Sequence, residues 1–231
     1  DSSQSRGLGD VYKRQGMGPF ALMNLTGPPI ALHSTDYLAE QLETPRYVGA
    51  ENLREMVEAG EQWAIGEDTE CSKEAEEIIK TRLLGQVFAV AGQIVDEEIC
   101  SLEDVDRGAK VGLRWAKGPF ELANRIGIDV ARSMAADYSE LANFPLPKTW
   151  ERDGEFNFNY VDLQVDGDIA TITINRPEAM NALNETVVGQ LGNAIDMANS
   201  NEDVATIVLD GAGKAFVAGA DVKFFVDKIK A

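Results

Sequence analysis

A ten-residue pattern returns in this chain at a spacing of 100 residues. Gly18-Pro19-Phe20-x-Leu22-x-Asn24-x-x-Gly27 recurs as Gly118-Pro119-Phe120-x-Leu122-x-Asn124-x-x-Gly127, and Ala31 and Ala131 keep the register. Seven positions agree without a gap, as expected of a duplicated structural unit. Proline directly after glycine suits the first position of a helix, where its missing N–H costs nothing. Each copy is therefore expected to open a helix. Between the copies, residues 72–100 read as one long helix. Its apolar stretch 83–95 is too short and too interrupted to span a membrane. Ser101-Leu102-Glu103-Asp104 then has the form of a capping box that opens the next helix.

The second half changes character. Ile169 to Ile174 alternates as a half-buried strand, and Asp166-Gly167-Asp168 before it reads as a hairpin turn from a preceding strand. A helix is expected over 185–199 and an apolar strand over 204–210. That strand runs into Gly211-Ala212-Gly213 and then Ala215-Phe216-Val217-Ala218-Gly219-Ala220-Asp221, with a helix expected from Asp221. Only residues without bulk let another molecule press against the backbone, and Ala218 to Ala220 have almost none. Free N–H groups just ahead of a helix N-terminus are ready donors for a developing oxyanion.

Three motifs occur in order: Asn175-Arg176-Pro177, Asn181-Ala182-Leu183-Asn184, and Ala215-Phe216-x-Ala218-Gly219-Ala220-Asp221. Together they resemble the enoyl-CoA hydratase (crotonase) family over residues 158–231. The resemblance implies that the Ala220 N–H is one of two oxyanion donors to a thioester oxygen. It also implies that Ala182, Ala218 and Gly219 meet CoA. Lys214 and Lys223, which flank the corner, are candidates for holding its phosphates. Members of that family add a Gly-Gly-Gly segment carrying the second donor and two glutamates that handle water and the α-proton. None of these follows here before Ala231, so the segment reads as the N-terminal part of such a domain, without turnover of its own.

The first half resembles the C-terminal helical domain of 3-hydroxyacyl-CoA dehydrogenases over residues 16–145. The matching elements are the two Gly-Pro-Phe-x-Leu units and the run Arg82-Leu83-Leu84, Asp96-Glu97-Glu98, Leu102 to Asp106 and Gly112-Leu113. Such domains are often duplicated and support dimerisation, which implies a homo-oligomeric parent. The parent would use NAD, but the chain has no Gly-x-Gly-x-x-Gly fingerprint. Its single histidine, His33, lies on the wrong side of the Gly-Pro-Phe unit for a catalytic base and reads as an ordinary helix residue. The expected fold is thus an α-helical dehydrogenase C-terminal domain with a duplicated helical unit, followed by a truncated α/β crotonase-like ββα domain. The implied parent hydrates a trans-2-enoyl-CoA and oxidises the 3-hydroxyacyl-CoA with NAD. The alternatives are an enoyl-CoA isomerase or another crotonase relative, and a non-catalytic helical assembly module.

Composition narrows the partners. The net charge of −18 is spread over both halves, with 12 basic against 23 acidic residues in 16–150 and 6 against 14 in 151–231. That balance opposes nucleic-acid binding and gives a polyanion such as CoA no long-range attraction. The acidic stretch 67–77 lacks His or Asn at metal spacing, and no metal site is expected. Cys71 and Cys100 lack metal spacing too and read as reduced thiols of a cytoplasmic chain. Residues 146–157 read as a linker between the halves. Residues 10–15 back-translate to GAT GTG TAT AAG AGA CAG, which resembles a transposon end used in sequencing libraries. Residues 1–15 are therefore expected to be adapter-derived, and both ends to be severed.

Overall fold

Pro19 and Pro119 each sit at the start of a short helix, behind the extended residues Gly18 and Gly118 (φ −70° and −72°). These helices belong to a computed structural model that describes residues 18–65 and 72–221. Two compact units divide the chain, Asp1–Phe156 and Asn157–Ala231. The expected adapter segment 1–15, Cys71 and Lys223 lie outside the described residues, as does the helix expected after Asp221.

The first unit is helical. Its helices are α1 (Pro19–Thr26), α2 (Pro28–Gln41), α3 (Glu51–Ala59), α4 (Lys73–Asp96), α5 (Leu102–Gly112), α6 (Pro119–Ile126) and α7 (Ile128–Leu141). The α1–α2 and α6–α7 pairs have the same lengths, 8 and 14 residues. Each pair turns at a glycine with positive φ, Gly27 at 97° and Gly127 at 100°. Each is followed by a left-handed residue, Glu43 (φ 49°) or Asn143 (φ 48°), and then by a three-residue 3-10 turn, Pro45–Tyr47 or Lys148–Trp150. Asn24 brackets the backbone of Trp63, its Nδ2 donating to the carbonyl at 2.8 Å and its Oδ1 accepting the N–H at 2.9 Å. Asn124 does the same to Phe156, at 2.8 Å for both bonds. In both places the Gly-Pro-Phe ring lies against the bracketed aromatic, Phe20 on Trp63 and Phe120 on Phe156, with centroids 4.6 Å apart.

The long helix α4 packs against α7 and the Lys148–Trp150 turn. Leu84, Gly85, Phe88, Ala89, Ala91 and Gly92 are its buried residues. A Cβ at Gly85 would stand 2.3 Å from the Met134 carbonyl oxygen of α7, and one at Gly92 would stand 2.6 Å from Trp150 Nε1. Only glycine admits neighbours this close. Trp150 Nε1 donates to the Phe88 carbonyl at 3.0 Å, inside a cluster of Phe88, Phe120, Trp150 and Phe156. By length and composition α4 alone among the described helices could cross a membrane. Its buried face is instead occupied by α7 and this aromatic cluster.

Three expectations are corrected here. The long helix stops at Asp96 rather than reaching Cys100, because Glu98 turns left-handed (φ 54°). The capping box at Ser101 is half formed. Ser101 Oγ accepts the Asp104 N–H at 3.2 Å, while the Asp104 carboxylate pairs with Arg107 instead of reaching back. Residues 146–157 are not a free linker, since Trp150 and Phe156 are buried in the helical unit (0% and 2% exposed).

Gly118 has no side chain with which to cap α6, and Asp106 of α5 does so. Its two oxygens accept the N–H groups of Phe120 and Glu121 at 2.8 Å each. A Cβ at Gly118 would lie 2.1 Å from the Asp106 Cγ. Burial pushes the Asp106 carboxyl up to about 6, against the opposing pull of these two N–H donors.

The second unit carries the α/β pattern. Strands β1 (Val161–Asp166) and β2 (Ile169–Ile174) pair antiparallel across the two-residue loop Gly167-Asp168, with Gly167 at φ 60°. Helix α8 (Glu185–Asn199), capped by Asn184 Oδ1 on the Val187 N–H, returns the chain to β3 (Thr206–Gly211), parallel to β2. The core joins Val161 of β1 and Ala170, Ile172 and Ile174 of β2 to Val187, Ala194 and Ala198 of α8. The period of two in the strand and of 3.6 in the helix thus meet in one apolar layer.

Candidate functional site

The small-residue segment after β3 is built on two supports. At Gly211 the chain doubles back so closely that a Cβ there would stand 2.3 Å from the Phe216 oxygen and 2.7 Å from its Cα. Asn181 is the second support. It is wholly buried and left-handed (φ 54°), a conformation asparagine tolerates better than most residues. Its Oδ1 accepts the Arg176 N–H at 2.8 Å, and its Nδ2 donates to the carbonyls of Ala212 at 2.9 Å and Ala215 at 2.7 Å. One side chain thus ties the Asn-Arg-Pro turn to the loop beyond β3.

Beyond this knot, residues 180–183 and 218–221 run side by side. The Ala218 N–H donates to the Met180 carbonyl at 3.0 Å, the Leu183 N–H to that of Gly219 at 2.9 Å, and the Asp221 N–H to that of Leu183 at 2.8 Å. Leu183 and Ala220 form a parallel bridge. In such a bridge the residues flanking the partner make the bonds, so the partner's own N–H and C=O point to the other side. The Ala220 N–H is therefore directed away from Leu183, and nothing among the described residues accepts it. Ala218, Gly219 and Ala220 are all exposed, and Gly219 takes φ 124°. An extended N–H on an exposed backbone edge can donate to an incoming oxygen without displacing a side chain.

Arg176 braces the same segment. Its Nη1 donates to the Ala182 carbonyl at 3.1 Å and to Asp221 Oδ2 at 2.8 Å, and the Arg–Asp pair is mostly shielded from water. Of the residues singled out from sequence, the fold brings Ala182, Ala218, Gly219 and Ala220 together. Lys214 is exposed on the loop just before them. His33 lies exposed on α2, ring to ring with Tyr37 at 6.2 Å. Sequence reasoning misses the supporting roles of Arg176, Asn181, Gly211 and Asp221. The available signal is a polar Asn inside an otherwise small and apolar stretch, which burial obliges to find partners. Among the described residues no cluster of His, Cys, Asp and Glu could hold a metal ion.

The helical unit offers an open groove of about 560 Å³ between α4 and α7, lined in part by Glu74, Ile78, Arg82, Met134, Tyr138 and Leu141. None of the residues singled out from sequence as binding or catalytic lines it.

Comparison with known proteins matches both halves. Residues 169–231 match the family model described as enoyl-CoA hydratase/isomerase, and residues 79–152 that of the 3-hydroxyacyl-CoA dehydrogenase, C-terminal domain. The short-chain-enoyl-CoA hydratase of Clostridium acetobutylicum is 43% identical over 65 residues, 28% of this chain and 25% of that protein. The probable mitochondrial enoyl-CoA hydratase of Dictyostelium discoideum is 37% identical over 57 residues, 25% of this chain and 21% of that protein. A solved enoyl-CoA hydratase/isomerase from Mycobacterium paratuberculosis is 42% identical over 28% of this chain and 26% of its own, with a TM-score of 0.27. The chain spans about a quarter of the length of the curated relatives it matches.

Proposed function

For a chain that joins a segment of the 3-hydroxyacyl-CoA dehydrogenase C-terminal domain family to a segment of the enoyl-CoA hydratase/isomerase family, we propose a place in fatty acyl-CoA metabolism with Ala220 as an oxyanion donor. The observation that carries this reading is the outward N–H of Ala220, held by the bridge to Leu183 and free of any described acceptor. A thioester carbonyl seated there is polarised, and the enolate oxygen that develops on addition to the double bond is stabilised where it forms. One such donor is typically worth about 10²–10³ in rate. Ala182, Ala218 and Gly219, which lack bulk along the same edge, take the flat adenine of CoA, and Lys214 and Lys223 neutralise its phosphates locally.

The parent reaction in this proposal is hydration of a trans-2-enoyl-CoA, followed by NAD-dependent oxidation of the 3-hydroxyacyl-CoA in a cytoplasmic, homo-oligomeric protein. The residues present do not fit NAD: the described part of the first unit is helical, and the sequence has no Gly-x-Gly-x-x-Gly turn. No step is therefore drawn through that cofactor. The α1–α2 and α6–α7 pairs are taken as two copies of one helical unit, a reading supported by their equal lengths, turns and asparagine brackets.

The test is a titration of the ¹⁵N-labelled chain with crotonyl-CoA. The expected result is saturable shifts of the Ala218, Gly219 and Ala220 amides without hydration of the ligand, since these 231 residues contain no Gly-Gly-Gly segment to supply a second donor. An unmoved Ala220 amide at millimolar ligand sinks the oxyanion assignment, and measurable hydration sinks the claim of inactivity.

A further inference from the structure

The direction of the Ala220 N–H is set by a single peptide unit. In a trans peptide the carbonyl and the N–H point to opposite sides. The Gly219 carbonyl accepts from the Leu183 N–H at 2.9 Å, so the Ala220 N–H of the same unit faces the open side. Rotation of that unit is governed by ψ of Gly219 and φ of Ala220. Gly219 stands at φ 124°, in a region glycine enters without steric cost, and a Cβ there would meet nothing within 4 Å. Gly219 and Ala220 are both exposed, so neither bulk nor burial locks the unit. One neutral hydrogen bond on an exposed edge confines it only weakly.

The residue that follows is held from two directions. The Asp221 N–H donates to the Leu183 carbonyl at 2.8 Å, and Asp221 Oδ2 accepts from Arg176 Nη1 at 2.8 Å. The same Nη1 donates to the Ala182 carbonyl at 3.1 Å. A terminal guanidinium nitrogen carries two hydrogens. Here one goes to each of the two segments that the Leu183–Ala220 bridge joins. The side chains of Arg176 and Asp221 are 18% and 17% exposed, so water competes little for this charged hydrogen bond. Arg176 is supported in turn by Tyr160, whose ring lies 5.7 Å from its Cζ, within cation–π reach. Gln190 of α8 fixes Tyr160, accepting its N–H at 2.8 Å and donating to the Phe158 carbonyl at 2.7 Å.

We infer that Arg176 is a positioning residue for the oxyanion donor. By tying the Ala182 carbonyl to the Asp221 carboxylate, it holds the Gly219–Ala220 peptide with its N–H aimed at an incoming thioester oxygen. This rests on the reading of Ala220 as that donor. Arg176 acts through Asp221 and not on the thioester. The ion pair carries no net charge, so its contribution is one of geometry.

The probe is crotonyl-CoA enriched with ¹³C at the thioester carbonyl, added in excess to the full 231-residue chain. A hydrogen bond to the oxygen polarises the carbonyl and moves this carbon downfield. The wild-type chain is expected to produce that displacement, and Arg176→Gln to lose at least about half of it. Asp221→Asn, which removes the charge but keeps an acceptor oxygen, is expected to retain most of it, and Asp221→Ala to behave as Arg176→Gln. The double variant Arg176→Gln/Asp221→Ala should lose no more than Arg176→Gln alone, because the two residues act as one unit. A ligand-free readout goes with these. The ¹⁵N heteronuclear NOE of the Ala220 amide should fall in Arg176→Gln, while those of Ile172 and Ile174 in β2 stay unchanged. The substitution leaves the backbone N–H of Arg176 on Asn181 Oδ1. If Arg176→Gln does not fold, Asp221→Ala compared with Asp221→Asn decides in the same way. The inference alone is overturned if the wild-type chain moves the carbon and the Ala220 amide and Arg176→Gln moves both equally. It is also overturned if Asp221→Asn loses as much as Asp221→Ala, which would make the role one of charge. A wild-type chain that moves neither signal overturns the oxyanion reading, and this inference with it.

Discussion

Replacing Asn181 by alanine tests whether one buried side chain holds the Ala218–Ala220 edge in place. The substitution removes three hydrogen bonds of 2.7–2.9 Å. It leaves the Arg176 N–H and the Ala212 and Ala215 carbonyls without this partner. A hydrogen bond contributes about 1 kcal/mol net, and a buried group left unpaired costs about 1–3 kcal/mol. Alanine must also hold φ 54°, which adds roughly 1 kcal/mol. The expected loss is about 3–5 kcal/mol, against a total of roughly 4–11 kcal/mol for a unit of this size. Urea unfolding followed by NMR of β2 amides reads it directly. All three tryptophans lie in the first unit, so their fluorescence serves as an internal control that should not move. Asn181→Gly separates the terms: glycine loses the same bonds but accepts the left-handed backbone, and should be about 1 kcal/mol less damaging than alanine. A loss below about 1 kcal/mol for Asn181→Ala, or alanine equalling glycine, refutes the keystone role.

Gly118→Ala should destabilise the helical unit by at least about 2 kcal/mol, because the new Cβ meets the Asp106 Cγ at 2.1 Å and its Cα at 2.5 Å. Gly18→Ala, with nothing within 4 Å, should stay within about 1 kcal/mol of wild type in the same thermal melts. The Asp106 carboxyl, raised to about 6 in the fold, contributes stability that is fully present below the unfolded value near 4 and is lost as pH rises through 6. Melts between pH 4 and 7 should therefore show a slope that Asp106→Asn flattens; parallel curves for the two proteins would contradict the burial argument. Gly189→Ala and Gly192→Ala lie in α8 with open space around them. Each should raise stability by about 0.5–1 kcal/mol in urea titrations.

Where local signals are strong, sequence and fold agree at single residues. Strand 169–174 shows its alternation, and helix 185–199 has a capping asparagine before it. The long helix overshoots on paper because residues 97–100 include good helix formers and no glycine; the left-handed turn at Glu98 carries no local mark. Residues 146–157 have the composition of a loop, yet they include two aromatics, Trp150 and Phe156, each flanked by polar residues. Isolated aromatics of that kind point to anchoring in a core. At the candidate site the small residues are legible and their supports are not. The bonds from Asn181 to Ala212 and Ala215, and from Arg176 to Asp221, join segments 31–45 residues apart. Spacing along a chain does not reveal such partners.

The two Gly-Pro-Phe units act as a natural comparison inside one molecule. Phe20 is half exposed and Phe120 is buried, yet both pairs keep the same helix lengths, the same glycine turn and the same asparagine bracket. The local code of proline, glycine and asparagine is therefore sufficient to shape the helix pair without a covering helix. What α4 adds is burial, worth about 1.5–3 kcal/mol for a phenylalanine side chain fully removed from water. It follows that Phe120→Ala should cost the helical unit more than Phe20→Ala by roughly 1–2 kcal/mol in chemical denaturation. Equal losses would mean that Phe20 is covered in solution, and that the two helix pairs differ less than their exposures indicate.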